Sequence, residues 1–263
     1  MKEVTSFDRN LNIFLSVVCY ISLAVGLYVG TITDYLYILL VYVILSINEQ
    51  AFFHRLSVHR SWNCPDWLKV IGIHIGTLTL LSPILTWVAI HRAHHQNTDK
   101  PNDPHSPLYK SNFSIQFMYT WLPFNLVYAG DLLRKKIYLF YSINYFRVIF
   151  ISWAVIIMLL GPEKFVTIWL AGTALSIISA NSINTFHHRE SYWFGQYRNK
   201  TTHPDTSKND MILGYLHFDG WHNNHHSDPK KYYYGNKWWE IDLCGIYVWT
   251  LATLTGYNSS LKK

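Results

Sequence analysis

Charged residues are scarce in this chain. Asp, Glu, Lys and Arg together make up 14% of its 263 residues, against roughly 25% in a typical soluble domain. Half of the residues are hydrophobic and 17% are aromatic, a composition typical of a protein that lies partly in a lipid bilayer. The net charge of +6 indicates loops that face anionic lipid. It does not indicate a nucleic-acid partner, because the basic residues lie beside apolar runs and form no patch.

Cysteine is also rare, with only three residues, Cys19, Cys64 and Cys244. They are far apart in the sequence and form no CxxC pair. This spacing argues against a disulfide framework and against an iron–sulfur cluster. Histidine, by contrast, occurs fourteen times, and its placement carries most of the functional information.

Four apolar runs are each long enough to cross the roughly 30 Å hydrocarbon core of a bilayer as a helix. They comprise residues 13–32, 35–53, 138–160 and 165–183. Short polar turns join the first run to the second and the third to the fourth, which predicts two transmembrane hairpins. The first run lacks the short apolar region and cleavage site of a signal peptide, so we expect it to be retained.

Basic residues indicate on which side of the membrane the loops lie. Three consecutive basic residues at 134–136 precede the third run, whereas the hairpin turns are nearly free of Lys and Arg. By the positive-inside rule, both termini and the segments 54–137 and 187–263 are cytoplasmic. The apolar stretch 67–90 is expected to be an embedded or interfacial helix pair, because a fifth span would separate the histidine clusters. The sequence thus predicts one all-α integral-membrane domain, 1–263, with four transmembrane helices in two hairpins and a cytoplasmic helical cap.

Eight histidines fall into three clusters: HxxxxH at 54–59, HxxHH at 91–95 and HxxHH at 222–226. The candidate metal ligands are His54, His59, His91, His94, His95, His222, His225 and His226. On a helix, positions i and i+3 are about 60° apart and positions i and i+4 about 40° apart, so each HxxHH presents its first histidine beside both later ones. The adjacent pair diverge by about 100° and can reach two different metals. The i,i+5 spacing of the first cluster corresponds to about 140°, so we expect that helix to end or distort there.

Three such clusters on one side of a membrane indicate a metal site. They do not fit the alternative interpretation, in which these histidines are scattered core or surface residues. Imidazole suits iron, zinc and copper, so affinity order alone does not select the metal. Many neutral nitrogen donors around two metals with open positions suit O2 activation better than a closed structural zinc site.

The stretches around these clusters resemble the three histidine boxes of membrane fatty acyl desaturases, especially the delta-9 stearoyl type. They read HRLSVHRSW at 54–62, AIHRAHHQNTDKPNDPHS at 89–106 and DGWHNNHH at 219–226, and the resemblance extends from about Asn48 to Trp239. Ser57-Val58 stand where the family usually has Trp-Ser, and Asp219 stands where Glu is common. These departures leave the metal centre intact and put chain-length or headgroup selectivity in doubt.

The resemblance implies a centre of two iron ions with a ninth histidine ligand at the end of the fourth transmembrane helix. It also implies an asparagine, four residues earlier, that holds a metal-bound water. His188 and Asn184 have this spacing; the adjacent His187 is the rival ligand, and Asn184 has the alternative role of a helix-end residue. We assign weaker roles, in orienting ligand imidazoles or meeting the acyl headgroup, to Asp99, Asp103, Asp219 and Arg92.

The function that the resemblance implies is O2-dependent formation of a cis double bond, at the delta-9 position, in a long acyl chain carried by CoA, acyl-carrier protein or a lipid. The chain has no ferredoxin cysteine pattern, so the electrons would come from a separate donor such as ferredoxin or cytochrome b5. A bacterial inner membrane and the endoplasmic reticulum are both compatible with the predicted topology.

The same centre is compatible with a hydroxylase, an acetylenase or an alkane monooxygenase. A membrane metal transporter or sensor fits less well, because it predicts ligands within the spans, and here the boxes follow the apolar runs.

Overall fold

The structure is a computed structural model that describes residues 6–118, 125–200 and 205–262. It is mainly helical, and the one sheet among these residues pairs two short antiparallel strands, β1 (Gln196–Tyr197) and β2 (Asn209–Asp210). The helices are α1 (Ser6–Val29), α2 (Ile32–Asn48), α3 (Asp66–Thr77), α4 (Ile84–Asn97), α5 (Asn112–Met118), α6 (Lys136–Ile143), α7 (Tyr145–Lys164), α8 (Ala171–His187), α9 (His222–Ser227) and α10 (Leu243–Leu254). Two π-helical segments, Glu49–Val58 after α2 and Phe165–Leu170 before α8, continue these helices, and short 3-10 turns occur at Leu126–Ala129, Leu213–Tyr215 and Asn258–Ser260.

A tight turn joins α1 to α2. The Thr31 hydroxyl accepts a hydrogen bond from the Asp34 N–H (3.3 Å), and the Asp34 carboxylate accepts one from the Thr31 N–H (2.9 Å). This capping box satisfies the free N–H groups at the start of α2. The Lys164 ammonium lies 2.9 Å from the same carboxylate. The turn after α1 and the end of α7 therefore lie at the same end of the helix bundle.

The π-helix after α2 carries the first histidine cluster. In a π-helix each N–H bonds to the carbonyl five residues earlier, as the His59 N–H does to the His54 carbonyl (3.1 Å). The wider turn brings residues i and i+5 onto the same face. The HxxxxH spacing, which does not fit an α-helix, therefore places both histidines on one side, and the expected distortion takes this form.

Among the residues that the structure describes, three helical stretches are long and apolar enough to cross a membrane: Phe7–Val29, Ile32–Val58 and Tyr145–His187. The third includes residues 145–160 of the third apolar run and all of the fourth, because the chain is helical throughout it except at Gly161 (φ 78°, ψ 160°). The chain turns back at this glycine. The Trp153 and Phe165 rings are 5.5 Å apart, whereas a straight helix would separate these residues by about 18 Å.

The third apolar run becomes a long helix later than the sequence predicted. The predicted span starts at residue 138, but α6 ends at Ile143 and α7 begins at Tyr145, with Asn144 between them in a non-helical conformation (φ −101°, ψ 22°). α6 packs against α3 and α4, and its buried Tyr138 has its hydroxyl 3.2 Å from the Ser57 hydroxyl. The first part of the predicted span therefore contacts the helices around the histidine clusters.

The apolar stretch 67–90 forms two separate helices, α3 and α4. α3 lies so close to the π-helix that a Cβ at Gly72 would stand 2.3 Å from the Phe52 ring, so this close approach requires glycine. The connection between the helices is fixed to α1 by the Asn12 side chain, which donates to the Leu80 carbonyl (3.0 Å). α4, anchored in this way, carries the second histidine cluster.

A buried ion pair fastens the C-terminal segment to the first cluster. The Arg55 guanidinium donates two hydrogen bonds to the Asp242 carboxylate, at 2.8 and 2.9 Å, and the side chains are 0% and 2% exposed. Asp242 also accepts a hydrogen bond from the Gly245 N–H (2.8 Å) and so caps α10. The connection between α9 and α10 is thereby held against the π-helix.

Candidate metal centre

The three histidine clusters converge in the structure. The first lies on the π-helix, the second on α4 and the third on α9. His188, the residue directly after α8, joins them. The nine side chains form two groups, in each of which the candidate ligand atoms lie within 4.8 Å of one another.

Five histidines form the first group, called here the five-histidine group: His54, His59, His91, His95 and His225. Their Nε2 atoms are separated by 3.1 Å between His59 and His54, 3.2 Å between His54 and His225, 2.9 Å between His225 and His95, and 3.1 Å between His95 and His91. The π-helix, α4 and α9 therefore each contribute Nε2 atoms to one small volume.

Four histidines form the second group, called here the four-histidine group: His94, His188, His222 and His226. The Nε2 separations are 3.3 Å between His94 and His226, 3.1 Å between His226 and His222, and 2.9 Å between His222 and His188. Adjacent histidines fall into different groups, His94 apart from His95 and His225 apart from His226. This is the division that the 100° divergence along a helix predicts.

Every histidine of the four-histidine group has an aspartate behind its ring. The Nδ1-to-carboxylate distances are 2.9 Å for His94 and Asp103, 3.3 Å for His188 and Asp99, 3.0 Å for His222 and Asp219, and 2.8 Å for His226 and Asp205. A carboxylate at Nδ1 holds the ring proton there and leaves the Nε2 lone pair free for a metal. Three of these aspartates lie where the sequence suggested imidazole-orienting partners.

Two of the carboxylates behind these rings, those of Asp99 and Asp103, are themselves held ionised. Burial raises the pKa of Asp99, but hydrogen bonds from His188 and from the Thr206 N–H and hydroxyl outweigh it and hold the pKa well below its usual range. Burial also raises the pKa of Asp103, and its contacts with His94 again keep the pKa low. Each carboxylate therefore acts as a hydrogen-bond acceptor for its histidine.

The histidines of the five-histidine group are held neutral. Burial, reinforced by neighbouring histidines, lowers the pKa of His91 and of His225 well below the usual range. For His59 the main cause is again burial, and the next are the positive charges of Arg92 and Arg55. Neutral imidazole is the form that binds metals.

The arrangement fits metal ions. A neutral imidazole carries one N–H, so rings whose Nδ1 faces a carboxylate present bare lone pairs at Nε2. Lone pairs about 3 Å apart repel one another unless a cation lies among them. Metal–imidazole bonds of about 2.0–2.1 Å would separate neighbouring ligand atoms by roughly 3.0–3.4 Å, close to the spacing observed.

His187 lies outside both groups. Its ring centroid is 5.7 Å from that of His222 and 5.8 Å from that of His217. Neither ring nitrogen has a hydrogen-bond partner among the described residues. The structure thus brings His188, and not its neighbour, to the other histidines. Asn184, one turn before His188, is buried beside the cavity described next.

A small cavity opens beside both groups. It is lined by His54 and His91 of the five-histidine group, by His222 of the four-histidine group, and by Glu49, Gln50 and Asn184. It leaves about 20 Å³ for the centres of water-sized molecules, more than the roughly 10–15 Å³ that one water requires. One side-chain oxygen of Glu49 and one of Gln50 are buried without a partner among the described residues. The cavity therefore offers room and hydrogen-bond acceptors for a small polar ligand.

Arg92 is engaged by the protein itself. Its guanidinium donates to the carbonyls of Ser57 (2.8 Å), Val58 (3.1 Å) and Tyr128 (2.9 Å), and to the Asp131 carboxylate (2.5 Å). These bonds tie α4 to the end of the π-helix and so relate the first two histidine clusters.

Three further residues lie near the histidine groups, and the sequence did not predict their contacts there. Asp205 lies outside the three histidine clusters, and no spacing in the sequence connects it to His226. Glu49 gave a signal, because an acidic residue at the end of an apolar run is costly unless it serves a purpose. His105 stacks on His94 with ring centroids 4.1 Å apart and forms with it and Asp103 a third potential ligand set, in which His94 already directs its Nδ1 to Asp103.

Comparison with known proteins identifies the family. The family model for fatty acid desaturases matches residues 14–241, which include all nine histidines. The chain is 32% identical over 225 residues to the sn-1 stearoyl-lipid 9-desaturase of Synechocystis sp., covering 82% of this chain and 68% of the relative. It is 29% identical over 235 residues to Delta-9 acyl-lipid desaturase 1 of Arabidopsis thaliana, covering 85% and 73%. It is also 28% identical over 235 residues to a hex-5-enoyl-[acyl-carrier protein] acetylenase of Moorena producens, covering 76% and 68%. The chain therefore belongs to the fatty acid desaturase family.

Proposed function

We propose that this protein is a membrane fatty acyl desaturase that holds two iron ions and uses O2 to introduce a cis double bond, at the delta-9 position, into a long acyl chain. The observation that carries the proposal is the convergence of nine histidine Nε2 atoms in two groups, with one cavity lined by members of both. His54, His59, His91, His95 and His225 would hold one ion, and His94, His188, His222 and His226 the other. Two delta-9 desaturases among the relatives support the position of the double bond.

Bound iron would supply the O2 chemistry that removes hydrogens from an unactivated methylene pair, which no side chain can do alone. The residues of this chain would do the rest. Asp99, Asp103, Asp205 and Asp219 orient four of the imidazoles, and Asn184 would hold a metal-bound water in the cavity. The buried walls keep bulk water from the acyl chain and fix which carbons meet the centre.

The topology that we propose has four spans in two hairpins, with α1 and α2 forming one and α7 and α8 the other. The contact of Lys164 with Asp34 supports it, because these two residues belong to the two turns that would join the spans of each hairpin. The histidine groups lie beyond the other end of α2 and α8, on the side that the basic residues at 134–136 assign to the cytoplasm. A bacterial inner membrane or the endoplasmic reticulum would provide this arrangement.

The partners that this chemistry requires are O2, an acyl chain on CoA, acyl-carrier protein or a lipid, and a separate electron donor such as ferredoxin or cytochrome b5. The acetylenase among the relatives supports a second candidate, in which the same centre acts on an existing double bond. A hydroxylase or alkane monooxygenase would share the centre and differ only in the product.

The test is gas chromatography–mass spectrometry of total fatty acids from a host that expresses this chain. His94→Ala/His95→Ala removes one ligand from each group, and His74→Gln is the matched control because His74 bonds Ser152 and Tyr141 away from the groups. We expect a new monounsaturated acid with the wild type and with His74→Gln, and none with the double variant; derivatisation then locates the double bond. An acetylenic acid would favour the second candidate, and a hydroxy acid would identify a hydroxylase. No product despite bound iron and a supplied electron donor would refute the proposal.

A further inference from the structure

The two histidine groups differ in what stands behind their rings. In the four-histidine group each Nδ1 lies between 2.8 and 3.3 Å from an aspartate oxygen. These four side chains, Asp99, Asp103, Asp205 and Asp219, are each at most 5% exposed. The group is thus surrounded by buried negative charge.

The five-histidine group has no such support. Within the residues that the structure describes, all contacts between carboxylates and ligand histidines fall on the other group. The Nδ1 atoms of His54 and His225 have no partner at all among those residues. Five neutral imidazoles therefore face one another without a carboxylate behind any of them.

The charged side chains near the five-histidine group are arginines that are already ion-paired. The Arg55 guanidinium lies 4.1 Å from the centre of the Tyr234 ring, and that ring is 4.6 Å from the His225 ring. On the other side, Arg92 donates to the carbonyl of Val58, the residue before His59. Because Asp242 and Asp131 pair with these two guanidinium groups, neither arginine adds negative charge at this position.

These differences favour the four-histidine position for a cation. A carboxylate at Nδ1 raises the basicity of the ligand nitrogen, and loss of one such partner typically costs 10–100-fold in metal affinity. The five-histidine position has one more donor, but within the described residues none of its histidines has a carboxylate at Nδ1. Four carboxylates, each with an effect of that size, outweigh a single additional neutral ligand.

We propose that the two metal positions are unequal: the four-histidine position binds a divalent ion first and retains it more tightly, and the five-histidine position fills second. The inference rests on the metal centre of the proposed function. It assigns Asp205 a positioning role, because this carboxylate orients His226 and adds charge to one position only.

The test is a titration of the metal-free full-length protein in detergent with Co²⁺, a redox-stable substitute for iron. Visible absorption and calorimetry follow the binding, so no desaturase activity is needed. We expect two steps whose dissociation constants differ at least tenfold. His59→Ala should weaken only the looser step, and His188→Ala only the tighter one, which assigns each step to its group.

Asp205→Asn is the decisive variant. It should weaken the tighter step by about 10–100-fold and leave the looser step within about threefold of the wild type. Asp34→Asn is the matched control, because it neutralises an aspartate at the far end of α2 and should change neither step. If Asp205→Asn does not fold, Asp219→Asn carries the same test at His222. Stepwise removal of Co²⁺ from the wild type by a chelator should leave one ion per chain, in the four-histidine position. The absorption spectrum of this form should match that of His59→Ala with one Co²⁺ bound.

Equal affinities at the two positions would overturn the inference and leave the metal centre standing. A looser step that depends on Asp205 would do the same, because it would reverse the order of filling. Failure of the wild type to bind Co²⁺ at all would overturn the metal centre itself, and the inference with it.

Discussion

The Nε2 atom of His188 lies 2.9 Å from that of His222, although His188 directly follows α8, His222 begins α9, and the neighbouring His187 belongs to neither histidine group. The reason is local. α8 ends at His187, and His188 has a non-helical conformation (φ −109°, ψ 20°). Leaving the helix turns the second histidine of the pair towards α9, while the first keeps its helical direction.

Substitution of these adjacent histidines should therefore have unequal effects. We expect His188→Ala to lose one of two metal ions per chain and its desaturase activity, because it removes a donor from the four-histidine group. His187→Gln is the matched control and should keep both ions. Metal analysis of the purified variants checks this, and loss of an ion from His187→Gln with retention in His188→Ala would reverse the assignment.

The histidine spacing predicted how the helical histidines divide between the two groups. The 100° divergence of adjacent helical residues correctly separates His94 from His95, and the i,i+4 pairs His91–His95 and His222–His226 do meet. The π-helix was not predictable as such, because the sequence only showed that His54 and His59 do not fit one face of an α-helix.

Contacts that depend on the path of the chain in three dimensions could not be predicted from the sequence. Asp205 reaches His226 from a segment 21 residues earlier, and no periodicity links the two. The break at Asn144 between α6 and α7 was also missed, because an apolar run reads the same whether it lies in lipid or packs against α3 and α4. The span boundaries depend on that tertiary packing and not on hydropathy alone.

Glu49 should limit the stability of the protein. One of its carboxylate oxygens accepts a hydrogen bond from the Gln50 side chain (3.0 Å), and the other is buried without a partner among the described residues. A buried polar group without a partner costs about 1–3 kcal/mol, more when charged. We expect Glu49→Gln to raise the melting temperature by a few degrees and to lower desaturase activity, because the cavity beside the histidine groups loses its carboxyl group.

The control for Glu49 is the same substitution at Glu240. That carboxylate is fully buried and accepts hydrogen bonds from Asn224 (2.9 Å) and Tyr197 (2.5 Å), so Glu240→Gln should lower the melting temperature. Thermal unfolding in detergent measures the melting temperatures of both variants against that of the wild type. A fall in both would show that Glu49 stabilises the fold through a partner, contrary to this account.

The ion pair of Arg55 and Asp242 should be critical for folding. Both side chains are buried, so Asp242→Asn would leave a guanidinium without its countercharge, which typically costs 3–5 kcal/mol. The exposed pair of Lys69 and Asp66 is the control, because removing one partner of a surface pair changes stability by about 1 kcal/mol or less. Denaturation in urea should show a large loss for Asp242→Asn and almost none for Asp66→Asn. Similar small losses would mean that the C-terminal segment is held by other contacts.

The metal-free protein should lose stability on mild acidification. Burial lowers the pKa of His217 to about 4 and that of His91 and His225 well below the usual range, whereas an unfolded histidine has a pKa near 6.5. Below pH ~6.5 the unfolded chain therefore binds more protons than the folded one. The free energy of unfolding then falls with decreasing pH, by up to about 1.4 kcal/mol per pH unit for each such histidine.

Melting temperatures of the metal-free protein from pH 8 to pH 5 test this. We expect them to be nearly constant above pH 7 and to fall steeply below pH ~6.5. Bound metal should move the fall to lower pH, because a ligand nitrogen that holds a metal cannot accept a proton until the metal leaves. His217→Asn removes one of the titrating groups without changing a candidate ligand. The melting temperature of this variant should therefore fall less steeply with decreasing pH, because about one proton fewer is taken up on unfolding. A melting temperature that stays level through this range would mean that the folded histidines take up protons as readily as those of the unfolded chain, contrary to the low pKa values that burial gives them.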